Sequence, residues 1–136
     1  SFCFTYGDGV ADIDIAAAIK AHRNAGKTAT VTAIQPPGRY GALDINGNSV
    51  QRFKEKPAGD GAWINGGFFV LDPKVFEYLA SDEDSFEDRP LVNLAAKGEL
   101  NAYRHHGFWQ AMDTLRDKNQ LETLWKQSNP PWKVWQ

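Results

Sequence analysis

The chain has 136 residues, 42% hydrophobic and 24% charged, with 15 Lys and Arg against 17 Asp and Glu for a formal net charge of −2. That length suits one domain able to bury roughly two thirds of its unfolded surface. The near balance of charge argues against nucleic-acid wrapping or attraction to a membrane surface. Cys3 is the only cysteine, so no internal disulfide forms, a reducing cytoplasm is the expected setting, and the residue reads as a small core side chain. No run of about 18 apolar residues and no signal-peptide pattern is present.

Phe2 to Tyr6 is short, aromatic and closed by Gly7, the signature of a largely buried strand, with Asp8 at its C-terminal end. Asp12 to Ala25 carries apolar positions at helical spacing, an acidic start and Gly26 as a C-cap. Thr28 to Ile34 alternates β-branched and small residues, so strand, helix and strand suggest a right-handed parallel crossover. The pattern then changes to a hairpin: Tyr40 to Ile45, a turn at Asn46-Gly47-Asn48, and Ser49 to Glu55 returning. Ala62 to Leu71 reads as a core strand entered through Asn65-Gly66-Gly67, where the backbone needs glycine. Pro73 opens a short helix through Ala80, an acidic loop spans Ser81 to Asp88, and a helix over Pro90 to Lys97 stops at Gly98. Leu100 to His105 is a strand, and Arg116 to Gln127 an amphipathic helix with Leu121, Leu124 and Trp125 on its apolar side. The result is one α/β domain, residues 1–136, with a mixed, partly parallel sheet and an inserted hairpin. Such sheets bind ligands beyond the carboxyl ends of their strands.

An acid between two glycines, Asp8, lets the backbone pass close to a ligand while offering a carboxylate to a hard cation such as Mg²⁺; it is equally a turn aspartate. Glu55-Lys56-Pro57 pairs an acceptor for sugar hydroxyls with a point charge for phosphate, or is a solvated strand end. His105 and His106 point to opposite faces if the strand continues, which disfavours a joint metal site and leaves both with supporting or structural roles. Asp113 is either a second metal carboxylate or the N-cap of the following helix. Tyr103, Phe108 and Trp109 stack on a ring or pack in the core, and Gly38-Arg39-Tyr40-Gly41 is a turn or a close approach to a sugar. No Ser-His-Asp, Cys-His or paired-cysteine zinc pattern stands out.

Taken together, YGDGV, QPPGRYGAL, FKEKPAGDGAWINGGFFVLDPKVF and HHGFWQAMDTLRDKNQLETLW, with the closing PPWKVW, resemble the later half of the bacterial glucose-1-phosphate cytidylyltransferases, a branch of the sugar-nucleotide pyrophosphorylases. The resemblance implies a Rossmann-like nucleotidyltransferase fold and transfer of CMP from CTP to α-D-glucose 1-phosphate, giving CDP-glucose and pyrophosphate. It implies that Asp8 and Asp113 hold Mg²⁺, that Lys56 grips the sugar phosphate, that Glu55 accepts from glucose hydroxyls, and that Gly41 and Asn65 line the sugar pocket. Gly7 would bring its backbone to the ligand. Related thymidylyl- and uridylyltransferases commonly show W-x-D-x-G at the second acid; here Thr114-Leu115 follows Asp113, in agreement with the cytidylyl branch.

Such enzymes begin with a G-G-x-G-T-R-type loop that cradles the triphosphate, and no such loop occurs in this sequence. The expectation is therefore a C-terminal portion of the fold, with the sugar-phosphate half of the site and both metal acids but not the nucleotide cradle, and inactive alone. Its opening strand would then present an unpaired edge and associate with another copy. The competing readings are a non-catalytic, self-associating fragment that at most binds sugar phosphate, and a metal-dependent glycosyltransferase, which the E-K-P and N-G-G strings disfavour.

Overall fold

The computed structural model describes residues 1–36, 42–54, 62–128 and 130–135. In chain order the elements are β1 (Phe2–Thr5), β2 (Gly9–Ala11), α1 (Ile15–Ala25), β3 (Ala29–Ile34), β4 (Ala42–Asn46), β5 (Ser49–Lys54), β6 (Ile64–Leu71), a 3-10 helix (Pro73–Tyr78), α2 (Arg89–Ala96), β7 (Leu100–Arg104), β8 (Trp109–Ala111) and α3 (Leu115–Lys126). Four strands form the main sheet in the order β1-β6-β3-β7, and β2-β8 and β4-β5 are separate two-stranded ribbons.

The apolar run of β6 takes an inner position, antiparallel to both β1 and β3. β1 and β3 therefore run parallel to one another with β6 between them, a split form of the expected parallel crossover through α1, and the adjacent parallel pair is β3 with β7. Ala29, Phe69, Leu71, Val75 and Leu94 form the buried centre, with Tyr6, Phe86 and Leu100 packed against it. Helix α1 lies over β3, β6 and β7. It starts later than its acidic lead-in suggests, because Asp14 is the cap, its carboxylate accepting from the Ala17 N–H at 2.8 Å. It ends at Gly26, whose φ of 60° suits glycine. His22, one turn after Ala18 on the buried face, shares a 3.0 Å hydrogen bond between Nδ1 and Thr30 Oγ1, which satisfies a hydroxyl inside the sheet.

Two expectations for the opening strand are corrected. β1 is the unpaired edge also expected above rather than a largely buried strand, with Phe2 37% and Phe4 38% exposed, since its pairing within the described sheet is with β6 alone. Cys3 is likewise exposed, not a core residue. The hairpin forms with Asn46 closing β4 rather than in the turn: Asn46 pairs with Ser49 across Gly47-Asn48, and Gly47 has φ 60°, while Tyr40, Gly41 and Glu55 at its expected outer ends lie outside the described residues. The segment after Pro73 is a 3-10 turn ending at Tyr78 rather than a helix to Ala80, β7 stops at Arg104, one residue before the two histidines, and in α3 Leu121 is buried while Trp125 is 55% exposed.

Candidate functional site

A cleft of about 230 Å³ opens beyond the C-terminal end of β1, lined among others by Tyr6, Asp8, Asn65, Glu87, Trp109 and Asp113. Asp8 and Asp113 reach it on the β2-β8 ribbon. Gly9 pairs with Ala111, Val10 with Gln110 and Ala11 with Trp109, and the Met112 N–H donates to the Asp8 carbonyl at 2.6 Å. Asp8 precedes one strand and Asp113 follows the other, so antiparallel pairing brings two acids remote in sequence to the same end.

Three pairs make a marginal ribbon on their own, and contacts from outside it hold β8 and the end away from the two acids. Trp109 Nε1 donates to the Gly66 carbonyl at 2.8 Å, tying β8 to β6. At the far end the Asp12 N–H donates to the Phe108 carbonyl at 3.2 Å. His105 Nε2 donates to that carbonyl at 3.1 Å and lies 3.0 Å from Asp12 Oδ1. That carboxylate oxygen is buried and receives no hydrogen bond among the described residues, so the imidazole is its counter-group, an ion pair when the ring is protonated. Gly107 makes room for the contact, since a Cβ there would run into the Asp12 carboxylate and the His105 ring. The two histidines do separate: His105 braces the ribbon, while the His106 ring meets Trp63 edge-on at 5.4 Å.

The glycines entering β6 are explained by close approach. A Cβ on Gly66 would lie 2.8 Å from the Thr32 carbonyl oxygen. Gly67 has φ 75°, and a Cβ there would sit 2.8 Å from the Tyr6 ring. With Gly67 turned this way, its carbonyl accepts from the Tyr6 N–H at 3.0 Å, and its own N–H donates to Asn65 Oδ1 at 2.8 Å. Asn65 Nδ2 donates to Glu87 Oε1 at 3.2 Å and reaches Tyr6 Oη at 3.5 Å. Burial pushes the Tyr6 hydroxyl up to about 12; the Asn65 bond opposes the rise, and hydrogen bonding to Glu87 and the charges of Glu87 and Asp8 add to it.

The helix-cap alternative for Asp113 is removed by α3 itself. Thr114 is the N-cap, its Oγ1 accepting from the Asp117 N–H at 3.2 Å while Asp117 Oδ2 accepts from the Thr114 N–H at 3.0 Å. Gly7 is exposed beside the cleft and does not line it. Gly41, Glu55 and Lys56 lie outside the described residues. Glu87 is the site residue that sequence reading passed over, because within Ser81 to Asp88 it is one acid among several.

The donor set suits magnesium. Asp8 and Asp113 offer exposed, hard carboxylate oxygens in one cleft, and among the described residues no group of three or more His, Cys, Asp or Glu side chains converges as a metal cage. An ion that keeps its waters and shares one or two carboxylates with substrate phosphates asks for no more. A larger cleft, about 440 Å³, lies at the opposite end of the sheet, where Arg23, Lys27 and Lys74 face Asp72, Glu77 and Glu99. Its charges offset one another, and Glu99 is occupied in accepting from the Thr28 N–H at 2.9 Å and Oγ1 at 2.8 Å.

A family model described as nucleotidyl transferase matches residues 1–125. The chain is 58% identical over 136 residues to a glucose-1-phosphate cytidylyltransferase of Salmonella typhimurium, covering all of this chain and 53% of the relative. It is 47% identical over 136 residues to a probable glucose-1-phosphate cytidylyltransferase of Bacillus subtilis, covering 99% of this chain and 53% of that protein. The chain thus spans about half the length of the curated relatives it matches. Among solved structures, a putative glucose-1-phosphate thymidylyltransferase from Bacillus anthracis, in complex with a sucrose, superposes with a TM-score of 0.60 at 21% identity over 90% of this chain and 53% of that one. The mixed α/β sheet is accordingly part of a nucleotidyltransferase fold.

Proposed function

We propose, for a chain that belongs to the nucleotidyl transferase family, that its cleft is the metal and sugar-phosphate side of a glucose-1-phosphate cytidylyltransferase site and the chain the later half of that fold. The observation that carries this reading is the arrival of Asp8 and Asp113 in one cleft on the β2-β8 ribbon. The 58% identity to the Salmonella relative supports the choice of sugar and nucleotide.

In the proposed reaction an oxygen of the glucose 1-phosphate phosphoryl group forms a bond to the α-phosphorus of CTP. The bond from that phosphorus to the bridging oxygen breaks on the opposite side, and pyrophosphate leaves with the electron pair. Little covalent chemistry falls to the protein, so positioning and charge neutralisation set the rate. Bound Mg²⁺ would neutralise charge on the nucleotide phosphates and orient them. Asp8 and Asp113 would hold that ion, and Asn65 would meet the sugar. By the family resemblance Lys56 would hold the sugar phosphate, Glu55 would accept from glucose hydroxyls, and Gly7 and Gly41 would bring backbone to the ligand. A reducing, cytoplasmic setting agrees with Cys3 as the only cysteine.

The test is pyrophosphate release from CTP, glucose 1-phosphate and Mg²⁺, with the chain alone and with the remaining half of the Salmonella relative supplied in trans. Turnover is expected only in the mixture and is expected to favour CTP over dTTP and UTP. A mixture that forms a complex yet makes no CDP-glucose would refute the assignment, and turnover by the chain alone would remove the need for the second half. The exposed β1 edge supports one further proposal, self-association of the isolated chain.

A further inference from the structure

Among the described residues, Glu87 is the one carboxylate lining the cleft that the metal assignment leaves without a task. Its place is built. The adjacent Phe86 packs edge-on against Phe4 at 5.8 Å and Phe69 at 5.3 Å, which anchors the acidic loop to the aromatic side of the core. The Leu91 N–H donates to the Phe86 carbonyl at 3.2 Å, which ties the same anchor to the first turn of α2. The loop therefore delivers Glu87, itself exposed, to a set point at the cleft.

At that point Glu87 Oε1 accepts from Asn65 Nδ2 at 3.2 Å, while Asn65 Oδ1 accepts from the Gly67 N–H at 2.8 Å. A side-chain amide has a donor end and an acceptor end that are nearly equal in shape. Here the acceptor end faces a backbone donor and the donor end faces a carboxylate. Turning the amide over would set NH₂ against N–H and carbonyl oxygen against carboxylate. Glu87 Oε1 is thus engaged by the Asn65 amide.

We propose that Glu87 is a positioning residue for Asn65: it fixes which end of the amide donates and which accepts in the cleft, and so sets the hydroxyl pattern of the sugar that fits. This rests on the reading that the cleft takes glucose 1-phosphate. The amide offers that ligand the second lone pair of Oδ1 in a set orientation, and the remaining Nδ2 hydrogen lies toward Tyr6 Oη.

Two variants and two measurements test the proposal on the full chain. Glu87→Ala removes the acceptor, whereas Glu87→Gln keeps an oxygen in the same place without the charge. In the nitrogen–proton NMR spectrum, with the Asn65 side-chain signals assigned through Asn65→Ala, Glu87→Ala is expected to move the pair of Nδ2 hydrogens to the positions of a solvent-exposed asparagine. Glu87→Gln is expected to keep them close to their original positions. In calorimetric titration with glucose 1-phosphate, Glu87→Ala is expected to weaken binding by roughly threefold to tenfold, the scale of one hydrogen bond, and Glu87→Gln to restore most of it. Asn65 signals unmoved in Glu87→Ala, or binding in Glu87→Gln as weak as in Glu87→Ala, would overturn the positioning role. If the unaltered chain takes up no glucose 1-phosphate while the Asn65 signals respond as described, the positioning of Asn65 stands and the sugar-phosphate reading of the cleft falls.

Discussion

Two carboxylates carry the proposed chemistry, and each can be made neutral at almost constant shape. Asp8→Asn or Asp113→Asn in the reconstituted enzyme is expected to lower kcat/KM by several kcal/mol of transition-state stabilisation, on the order of a hundredfold or more, through lost metal positioning. Initial rates across a range of Mg²⁺ concentrations check this, and an unchanged rate for either variant removes that residue from the site. Tyr6 gives a second prediction, with a definite sign. Its hydroxyl is pushed up to about 12 in the folded chain, first by burial, against about 10 for an unfolded tyrosine. The folded state therefore keeps a proton that the unfolded state gives up. The stability that follows is fully present below pH 10 and is lost as pH rises from about 10 toward about 12. Phenolate absorbance should show Tyr6 titrating late, and Tyr6→Phe should remove both that step and the matching slope in alkaline stability. A Tyr6→Phe chain with the same alkaline slope would place its origin elsewhere.

Among the elements, the β2-β8 ribbon has only three pairs in register, and the packing at its far end decides whether the acids at its near end hold their places. Gly107→Ala is expected to destabilise the chain by about 1–3 kcal/mol, the usual cost of forcing a methyl into filled space, because the new Cβ meets the Asp12 carboxylate and the His105 ring. Urea midpoints measure the loss. Manganese titration followed by electron paramagnetic resonance should show weaker ion binding in the same variant, whereas an unchanged midpoint would mean that the contact closes without strain. This dependence was only partly legible in the sequence. Local signals were readable: Gly26 ends α1, Gly47-Asn48 turns the hairpin, and Gly98 follows α2. The fate of Asp113 was not, because a metal carboxylate and a helix cap share one sequence signature until Thr114 and Asp117 are seen to cap α3 between them. Glu87 was equally hidden, since its role comes from Phe86 packing on strands remote in sequence. Burial of β1 was misjudged for the same reason, as an aromatic run tells that a strand packs but not how many neighbours it has.

The whole molecule turns on that edge. β1 pairs with β6 on one side, and among the described residues no strand covers the other. The run Phe2-Cys3-Phe4-Thr5 contains no charge and no proline, the usual devices that discourage edge pairing. Phe2 stacks on Phe76 at 5.9 Å, and the two rings are 37% and 62% exposed, so unpaired backbone and apolar surface lie side by side. The isolated chain is therefore expected to sediment as a dimer or larger species at micromolar concentration. Phe2→Lys with Cys3→Lys, both at exposed positions, should shift it to monomer without loss of secondary structure by circular dichroism. Their removal leaves the rings of Phe4, Phe69 and Phe86 packed together. If the same edge is the one that meets the rest of a nucleotidyltransferase fold, self-association and complementation compete for it. Adding the remaining half of the Salmonella relative should then dissolve the homo-oligomer as pyrophosphate release appears. A chain that sediments cleanly as a monomer, or a homo-oligomer that persists in an active mixture, would show that β1 is not the shared surface.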